Sequence, residues 1–286
     1  MPVPAPEPYE AESNLIQIDG LETHYLRGGS GSPVVLLHSG EYGSTAELSW
    51  EYNFAALARH HTVYAPDWIG FGRTAKIHDF VDYAKFKIAH MGKLLRHLGL
   101  VDVPMVGNSM GANFLIRDAA SDAPQLQPSG IIAISGGGAV PQNEARAALY
   151  DYDCTFESMR RVVWALFADD VWPDDDEYVR RRYDSSLVLG AWECSSAARL
   201  RPPIERETAR DRVQRNALDY SGWTVPILLV AGADDKIKDR GYAFDLAKQI
   251  PGARAIEVDG AGHCAHIERP DLMNDIFLEF FAEHGA

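Results

Sequence analysis

The chain has 286 residues, of which 46% are hydrophobic and 24% are charged, so it is long enough for one large globular α/β domain with an insertion. Its 27 lysines and arginines against 41 aspartates and glutamates give a net charge of −14. This charge argues against nucleic acid or an anionic membrane surface as a partner, but it does not exclude a small anionic substrate.

The three cysteines have no metal-like spacing, which argues against a disulfide framework and against a metal site. The N-terminus lacks the basic region and the apolar run of a signal peptide, and no later segment is apolar enough to span a bilayer. These features predict a cytoplasmic protein.

Short apolar runs alternate with helical patterns along most of the chain. A continuous apolar run is typical of a strand that is buried on both faces. Strands are predicted over 15–19, 21–26, 34–37, 62–65, 103–106, 131–135, 227–231 and 253–258, and helices over 50–60, 80–98, 110–120, 242–249 and 270–284. This alternation predicts a mostly parallel sheet with helices on both faces.

The pattern changes over 141–219, where the sequence is charged, helical in character and dotted with aromatic residues. The simplest interpretation is a helical cap over the carboxyl ends of the strands, where such sheets bind ligands, and a separate helical domain is the alternative. The predicted organisation is therefore a disordered proline-rich leader (1–13), a first part of the core (14–140), the cap (141–219) and a second part of the core (220–286).

One short stretch, Val106-Gly107-Asn108-Ser109-Met110-Gly111, joins a predicted strand to a predicted helix. Glycines on either side of the serine allow a tight turn that holds the Ser109 hydroxyl out at the tip of the strand. The serine then lies at a helix N-terminus, where free N–H groups and the helix dipole favour developing negative charge. The pattern indicates a nucleophilic serine.

A serine hydroxyl needs a base to accept its proton and a carboxylate to orient that base. Asp234 and Asp235 follow the predicted strand 227–231, and His263 follows the predicted strand 253–258. Because both loops lie at the carboxyl ends of parallel strands, these side chains are expected at the same edge of the sheet as Ser109.

With these motifs, nearly the whole chain resembles an α/β-hydrolase. The resemblance implies a mostly parallel eight-stranded sheet with a helical cap, a Ser-Asp-His triad and no cofactor. Its Gly-x-x-Asp pattern selects Asp235 over Asp234, and its Gly-His pattern selects His263 over His266. It also implies an oxyanion hole formed by the N–H groups of Met110 and Gly40, with Ser39 as the less favoured alternative to Gly40.

A narrower resemblance is to the hydrolases of aromatic ring meta-cleavage products. The loop His38–Gly43 precedes Trp50 by the family's spacing, Gly107–Gly111 matches residue for residue, and Arg182-Tyr183 resembles the arginine and aromatic pair of the family's cap. This resemblance implies hydrolysis of a carbon–carbon bond in a 2-hydroxy-6-oxo-dienoate during aromatic catabolism. The implied substrate contacts are Arg182, which would hold the substrate carboxylate, Asn108 and Ser39.

The loop departs from that family at Glu41 and Tyr42, and Cys264 and His266 replace a tryptophan and a glutamine after the catalytic histidine. A carboxylic ester or lactone is therefore an alternative substrate, and a non-catalytic ligand-binding relative is a further, disfavoured alternative. Arg182 could instead lie on a solvated helix face, and Asn108 could brace the turn around Ser109. The expected partner is a small acidic substrate, and a homo-oligomer is left open.

Overall fold

The computed structural model describes residues 3–197, 199 and 218–285. Parts of the predicted leader (1–2) and of the predicted cap (198 and 200–217) lie outside these residues. The strands are β1 (Glu12–Ile18), β2 (Leu21–Gly29), β3 (Pro33–Leu37), β4 (Thr62–Pro66), β5 (Pro104–Asn108), β6 (Gly130–Ile134), β7 (Ile227–Gly232) and β8 (Arg254–Val258).

The eight strands form one sheet in the order β1-β2-β4-β3-β5-β6-β7-β8. β2 pairs antiparallel with β1 and β4, whereas every pair from β4–β3 to β7–β8 is parallel. The predicted eight-stranded, mostly parallel sheet is therefore confirmed. Since β5, β7 and β8 are parallel, the loops that carry Ser109, Asp235 and His263 leave the sheet at one edge.

The helices of the described residues cover both faces of the sheet and the segment between β6 and β7. They are α1 (Ala46–Trp50), α2 (Phe54–Ala58), α3 (Tyr83–His97), α4 (Met110–Ala119), α5 (Glu144–Tyr150), α6 (Phe156–Leu166), α7 (Val171–Asp174), α8 (Asp176–Ser186), α9 (Ala191–Ala197), α10 (Tyr242–Ala247), α11 (Ala265–Glu268) and α12 (Pro270–His284). No helix within 3–197, 199 and 218–285 combines the length and the apolarity that a bilayer crossing requires.

The alternating side chains of β3 show how the two faces are filled. Val35 and Leu37 pack into a core with α3, α4 and α10, whereas Val34 and Leu36 pack into a second core with α1, α2 and α12. All four side chains are buried, which is why the strand reads as a continuous apolar run.

A third apolar core lies in the segment between β6 and β7 and contains side chains of α5 to α8. Tyr42, Cys264 and Ile267, which belong to loops and a helix outside this segment, are buried in the same core. Two residues that depart from the meta-cleavage family, Tyr42 and Cys264, therefore pack against the helical segment.

Two predictions about local structure need correction. The helix predicted over 50–60 is divided into α1 and α2, because the buried Asn53 side chain between them donates to the Asn274 side chain (2.8 Å) and to His266 O (3.0 Å). The leader is not wholly detached, since Tyr9 stacks on Phe54 and the Tyr52 hydroxyl donates to Pro4 O.

Candidate active site

Ser109 lies at the turn between β5 and α4 with φ +50° and ψ −106°, a backbone conformation that a residue with a side chain rarely adopts. The turn is tight on both sides of the serine. A Cβ at Gly107 would lie 2.5 Å from Ala112 N, and a Cβ at Gly111 would lie 2.3 Å from Leu37 O. Only glycine fits at these two positions, which explains the Gly-x-Ser-x-Gly spacing.

Three polar side chains form a hydrogen-bonded chain at this turn. His263 Nε2 lies 2.8 Å from Ser109 Oγ, and His263 Nδ1 lies 2.8 Å from Asp235 Oδ2. Because the Asp235 carboxylate can only accept, the imidazole proton is assigned to Nδ1, and Nε2 is left to accept the serine proton. This arrangement can activate a serine hydroxyl for nucleophilic attack.

The Asp235 carboxylate is held in its charged form. Burial raises its pKa, but the charge of His263 and hydrogen bonds from the His263 side chain and from Ile237 N and Lys238 N more than offset this, so that the pKa lies below its ordinary value. A carboxylate that stays ionised can fix the histidine tautomer and stabilise the imidazolium that forms during attack.

The rival histidine, His266, lies away from this chain. Its ring is fully buried, Nε2 lies 3.0 Å from Ser49 O, and the ring packs against Trp50 at an interplanar angle of 43°. Burial lowers the pKa of His266 to about 3, so the ring stays neutral. The geometry thus brings His263, and not His266, to Ser109.

The two expected oxyanion donors, Gly40 and Met110, lie next to each other beside the serine. Both line the same cavity as Ser109 and His263, and a Cβ at Gly40 would lie 2.7 Å from Met110 Sδ. Met110 is the first residue of α4, so its N–H has no partner within the helix. The two backbone segments are therefore adjacent at the wall of the cavity, and their role as oxyanion donors stays a prediction.

The cavity has a volume of about 730 Å³ and concentrates positive charge in an otherwise acidic protein. Among the described residues that line it, the cations are Lys87, Arg117, Arg146, Arg199 and Lys238, and the single carboxylate is Glu41. Sequence reasoning did not find these cations, because they come from five separate segments that only the fold brings together.

Two of these cations are strongly affected by their surroundings. Burial lowers the pKa of Lys87 to about 8. Burial also lowers the pKa of Lys238 to about 8, although the negative charge of Asp235 raises it. The ammonium groups donate to backbone carbonyls, Lys87 to Ile69 O and Lys238 to Gly137 O. Both lysines are thus fixed in place and remain largely protonated at neutral pH.

The expected substrate contacts Asn108, Ser39 and Arg182 are not among the described residues that line the cavity. Asn108 is fully buried, and its amide donates to His263 O (3.1 Å) and, at 3.4 Å, to Ile134 O. Ser39 is buried, with its hydroxyl 3.1 Å from that of Ser44. Asn108 therefore braces the histidine loop, which favours the bracing alternative over a substrate contact, and the Ser39 hydroxyl is paired within its own loop.

The expected carboxylate ligand Arg182 is already paired within the protein. Its side chain is 1% exposed, its Nη1 donates to Glu41 Oε1 at 2.8 Å, and its Nε and Nη2 donate to the Tyr178 hydroxyl at 3.1 and 3.0 Å. The guanidinium is therefore neither on a solvated helix face nor free for a substrate carboxylate, which corrects both interpretations of this residue.

The histidine loop is bonded directly to the segment between β6 and β7. His263 N donates to Leu166 O (2.9 Å), and the buried Glu268 carboxylate accepts hydrogen bonds from Gly262 N and from Ala168 N (2.8 Å). The sequence pattern gave no signal for Glu268, because its role depends on contacts across 100 residues of chain.

The model of the alpha/beta hydrolase family matches residues 34–276, which include the turn at Ser109, the loop His38–Gly43 and both partners of Ser109. The chain belongs to this family. As an α/β-hydrolase it is a hydrolytic enzyme, as the sequence motifs predicted.

Several relatives of this α/β-hydrolase are meta-cleavage product hydrolases. The chain is 29% identical to a 2-hydroxy-6-oxo-6-(2'-aminophenyl)hexa-2,4-dienoic acid hydrolase of Metapseudomonas resinovorans, over 95% of this chain and 91% of that protein. It is 27% identical to a 2-hydroxy-6-oxo-2,4-heptadienoate hydrolase of Pseudomonas putida, over 89% of this chain and 91% of that protein.

A solved structure of a meta-cleavage product hydrolase is also similar to this chain. A variant of the meta-cleavage product hydrolase CumD superposes with a TM-score of 0.82 at 25% identity, over 94% of this chain and 98% of that chain. The predicted resemblance to this group is thereby confirmed.

Proposed function

We propose that the protein is a serine hydrolase in which Ser109, His263 and Asp235 form a catalytic triad, and that it hydrolyses a carbon–carbon bond of a 2-hydroxy-6-oxo-dienoate. The observation that carries the proposal is the pair of 2.8 Å distances that link the three side chains at the wall of a large cavity. Three relatives whose names describe this chemistry support the choice of bond.

The reaction proceeds through an acyl-enzyme. The dienoate is first ketonised, so that the carbon leaving group becomes an electron sink. His263 then accepts the proton of the Ser109 hydroxyl while Ser109 Oγ attacks the distal carbonyl carbon of the substrate. The N–H groups of Gly40 and Met110 stabilise the oxyanion. The carbon–carbon bond breaks with protonation of the leaving carbon, and water, activated by His263, hydrolyses the acyl-serine.

An acidic substrate fits the charge of the cavity. Five cations against one carboxylate among the described lining residues create a positive potential, although the whole chain carries a net charge of −14. We infer that the substrate carboxylate is bound by one or more of these cations and not by Arg182, which Glu41 already neutralises.

A carboxylic ester is the second candidate substrate, and the Glu41–Arg182 pair favours it. The cation that the resemblance assigns to the dienoate carboxylate is not available here. Ester hydrolysis needs the same nucleophile, base and oxyanion hole, and it differs only in its leaving group.

Two substrate panels test the proposal, one of 2-hydroxy-6-oxo-dienoates and one of short-chain 4-nitrophenyl esters. Ser109→Ala is expected to lower kcat by at least about 10⁴-fold on every substrate that the native enzyme turns over. Asp235→Asn is expected to lower kcat by a similar factor, whereas Asp234→Asn, the matched control, retains activity. Turnover of esters alone would refute carbon–carbon cleavage, and full activity of Ser109→Ala would refute the triad.

A further inference from the structure

Glu41 follows Gly40 in the proposed oxyanion loop, and it is the single carboxylate among the described residues that line the cavity. Its side chain is 4% exposed and Arg182 faces it with a side chain that is 1% exposed. A buried ion pair at the wall of a substrate cavity is costly to desolvate, so both partners need good geometry to remain charged.

The geometry meets this requirement. The Arg182 Nη1 to Glu41 Oε1 distance is 2.8 Å, and Tyr178 accepts from the other nitrogens of the guanidinium. Burial raises the pKa of Glu41, but the charge of Arg182 and hydrogen bonds from Ser39 and Arg182 more than offset it, so that the pKa lies below its ordinary value. Glu41 is therefore ionised at neutral pH.

The two elements that carry the pair are in direct backbone contact. Gly43 adopts φ +75°, and a Cβ there would lie 2.2 Å from Arg182 O. The backbone of Arg182 is therefore packed directly against the loop that carries Glu41. A second pair, Glu51 with Arg181, joins the same helix to the core, but Glu51 is not among the described residues that line the cavity.

We propose that the Glu41 carboxylate occupies the anion site formed by Arg182 and thereby determines substrate specificity. In the native enzyme this wall rejects a substrate carboxylate and accepts an uncharged group. Removal of the carboxylate opens the site to a small monocarboxylate. The part of this proposal that concerns specificity depends on the proposed hydrolase function, whereas the anion site itself does not.

A first experiment measures binding without turnover. Glu41→Ala removes the carboxylate, and acetate is the probe that replaces it. When acetate is about tenfold above its dissociation constant, we expect the Tm of this variant to rise by about 2–4 °C. Glu51→Ala, the matched control, and the double variant Glu41→Ala/Arg182→Gln are expected to show only the small shift of the native protein.

A second experiment measures specificity with the isosteric variant Glu41→Gln, which retains the packing of the loop. The substrates are two pairs of esters, 4-nitrophenyl hydrogen glutarate against 4-nitrophenyl valerate, and 4-acetoxybenzoate against its methyl ester. For at least one pair, we expect the ratio of kcat/KM for the acid to that for the neutral ester to rise about tenfold. Glu51→Gln is expected to change neither ratio by more than about twofold.

The outcomes separate the two proposals. Unchanged ratios in Glu41→Gln together with no specific acetate effect in Glu41→Ala would overturn the anion site. A native enzyme that hydrolyses neither these esters nor the 2-hydroxy-6-oxo-dienoates would contradict the proposed function, whereas an acetate effect that depends on Arg182 would still support the anion site.

Discussion

Glu268 links the histidine loop to the segment between β6 and β7, and we predict that it makes stability depend on pH. Its Oε2 accepts from Gly262 N, and its Oε1 accepts from Ala168 N at 2.8 Å and Asp169 N at 3.4 Å. Burial raises the pKa of Glu268 to about 7 and outweighs these hydrogen bonds and the charge of Arg269. The perturbation is Glu268→Gln, which is isosteric and cannot ionise.

The magnitude follows from the pKa. A rise from the ordinary value of 4.5 to about 7 corresponds to about 3 kcal/mol, at about 1.4 kcal/mol per pKa unit. Because the folded protein binds this proton more tightly than the unfolded chain, the contribution of Glu268 to the free energy of unfolding is largest below about pH 4.5. It falls as the pH rises to about 7 and is constant above that.

Urea denaturation of the native protein and Glu268→Gln at pH 5.5 and pH 8 tests this reasoning. The free energy of unfolding of the variant, relative to the native protein, is expected to rise by about 2 kcal/mol between the two pH values. Groups that titrate independently of Glu268 cancel in this difference. Glu279→Gln, at an exposed position of α12, is the control and shows no such change. If the difference in the free energy of unfolding between Glu268→Gln and the native protein is the same at both pH values, the raised pKa of Glu268 is refuted.

Two further substitutions test close packing and bracing. Gly43→Ala is expected to lower the free energy of unfolding by at least about 2 kcal/mol more than Gly99→Ala does. Both glycines have positive φ, but of the two only Gly43 would bring its new Cβ against a backbone atom, Arg182 O. Equal losses of stability in urea denaturation would contradict this contact. Asn108→Ala removes the donor to His263 O and is expected to lower kcat about tenfold equally for acidic and neutral substrates; a rise in KM for acidic substrates alone would instead indicate a substrate contact.

The sequence contained enough information for the fold and for the three linked side chains, because each depends on a local signal. A strand buried on both faces reads as an apolar run, as in Val34–Leu37, and the tight turn at Ser109 demands glycine at fixed positions. Asp235 and His263 were placed at the correct edge because the parallel strands that precede them leave the sheet together.

The substrate contacts could not be predicted in the same way, because they depend on which side chains pair across the interface between the core and the segment that follows β6. Arg182 was expected to bind a substrate, but Glu41 lies 141 residues away in sequence and neutralises it. Asn108 lies beside the nucleophile in sequence, yet the alternation of side chains along β5 turns its amide toward His263 O and away from the cavity.

The departures Glu41 and Tyr42 and the loop that carries His263 are all bonded to the segment between β6 and β7. On the oxyanion side, Glu41 bonds to Arg182 and the Tyr42 hydroxyl lies 3.0 Å from that of Ser196. On the other side, the backbone of His263 donates to Leu166 O, next to the Glu268 link. Since both loops of the proposed catalytic machinery are bonded to the segment between β6 and β7, we expect a displacement of that segment to disturb the loop of Gly40 or the loop of His263. We therefore expect substitutions at this interface to change kcat even where they do not touch the substrate.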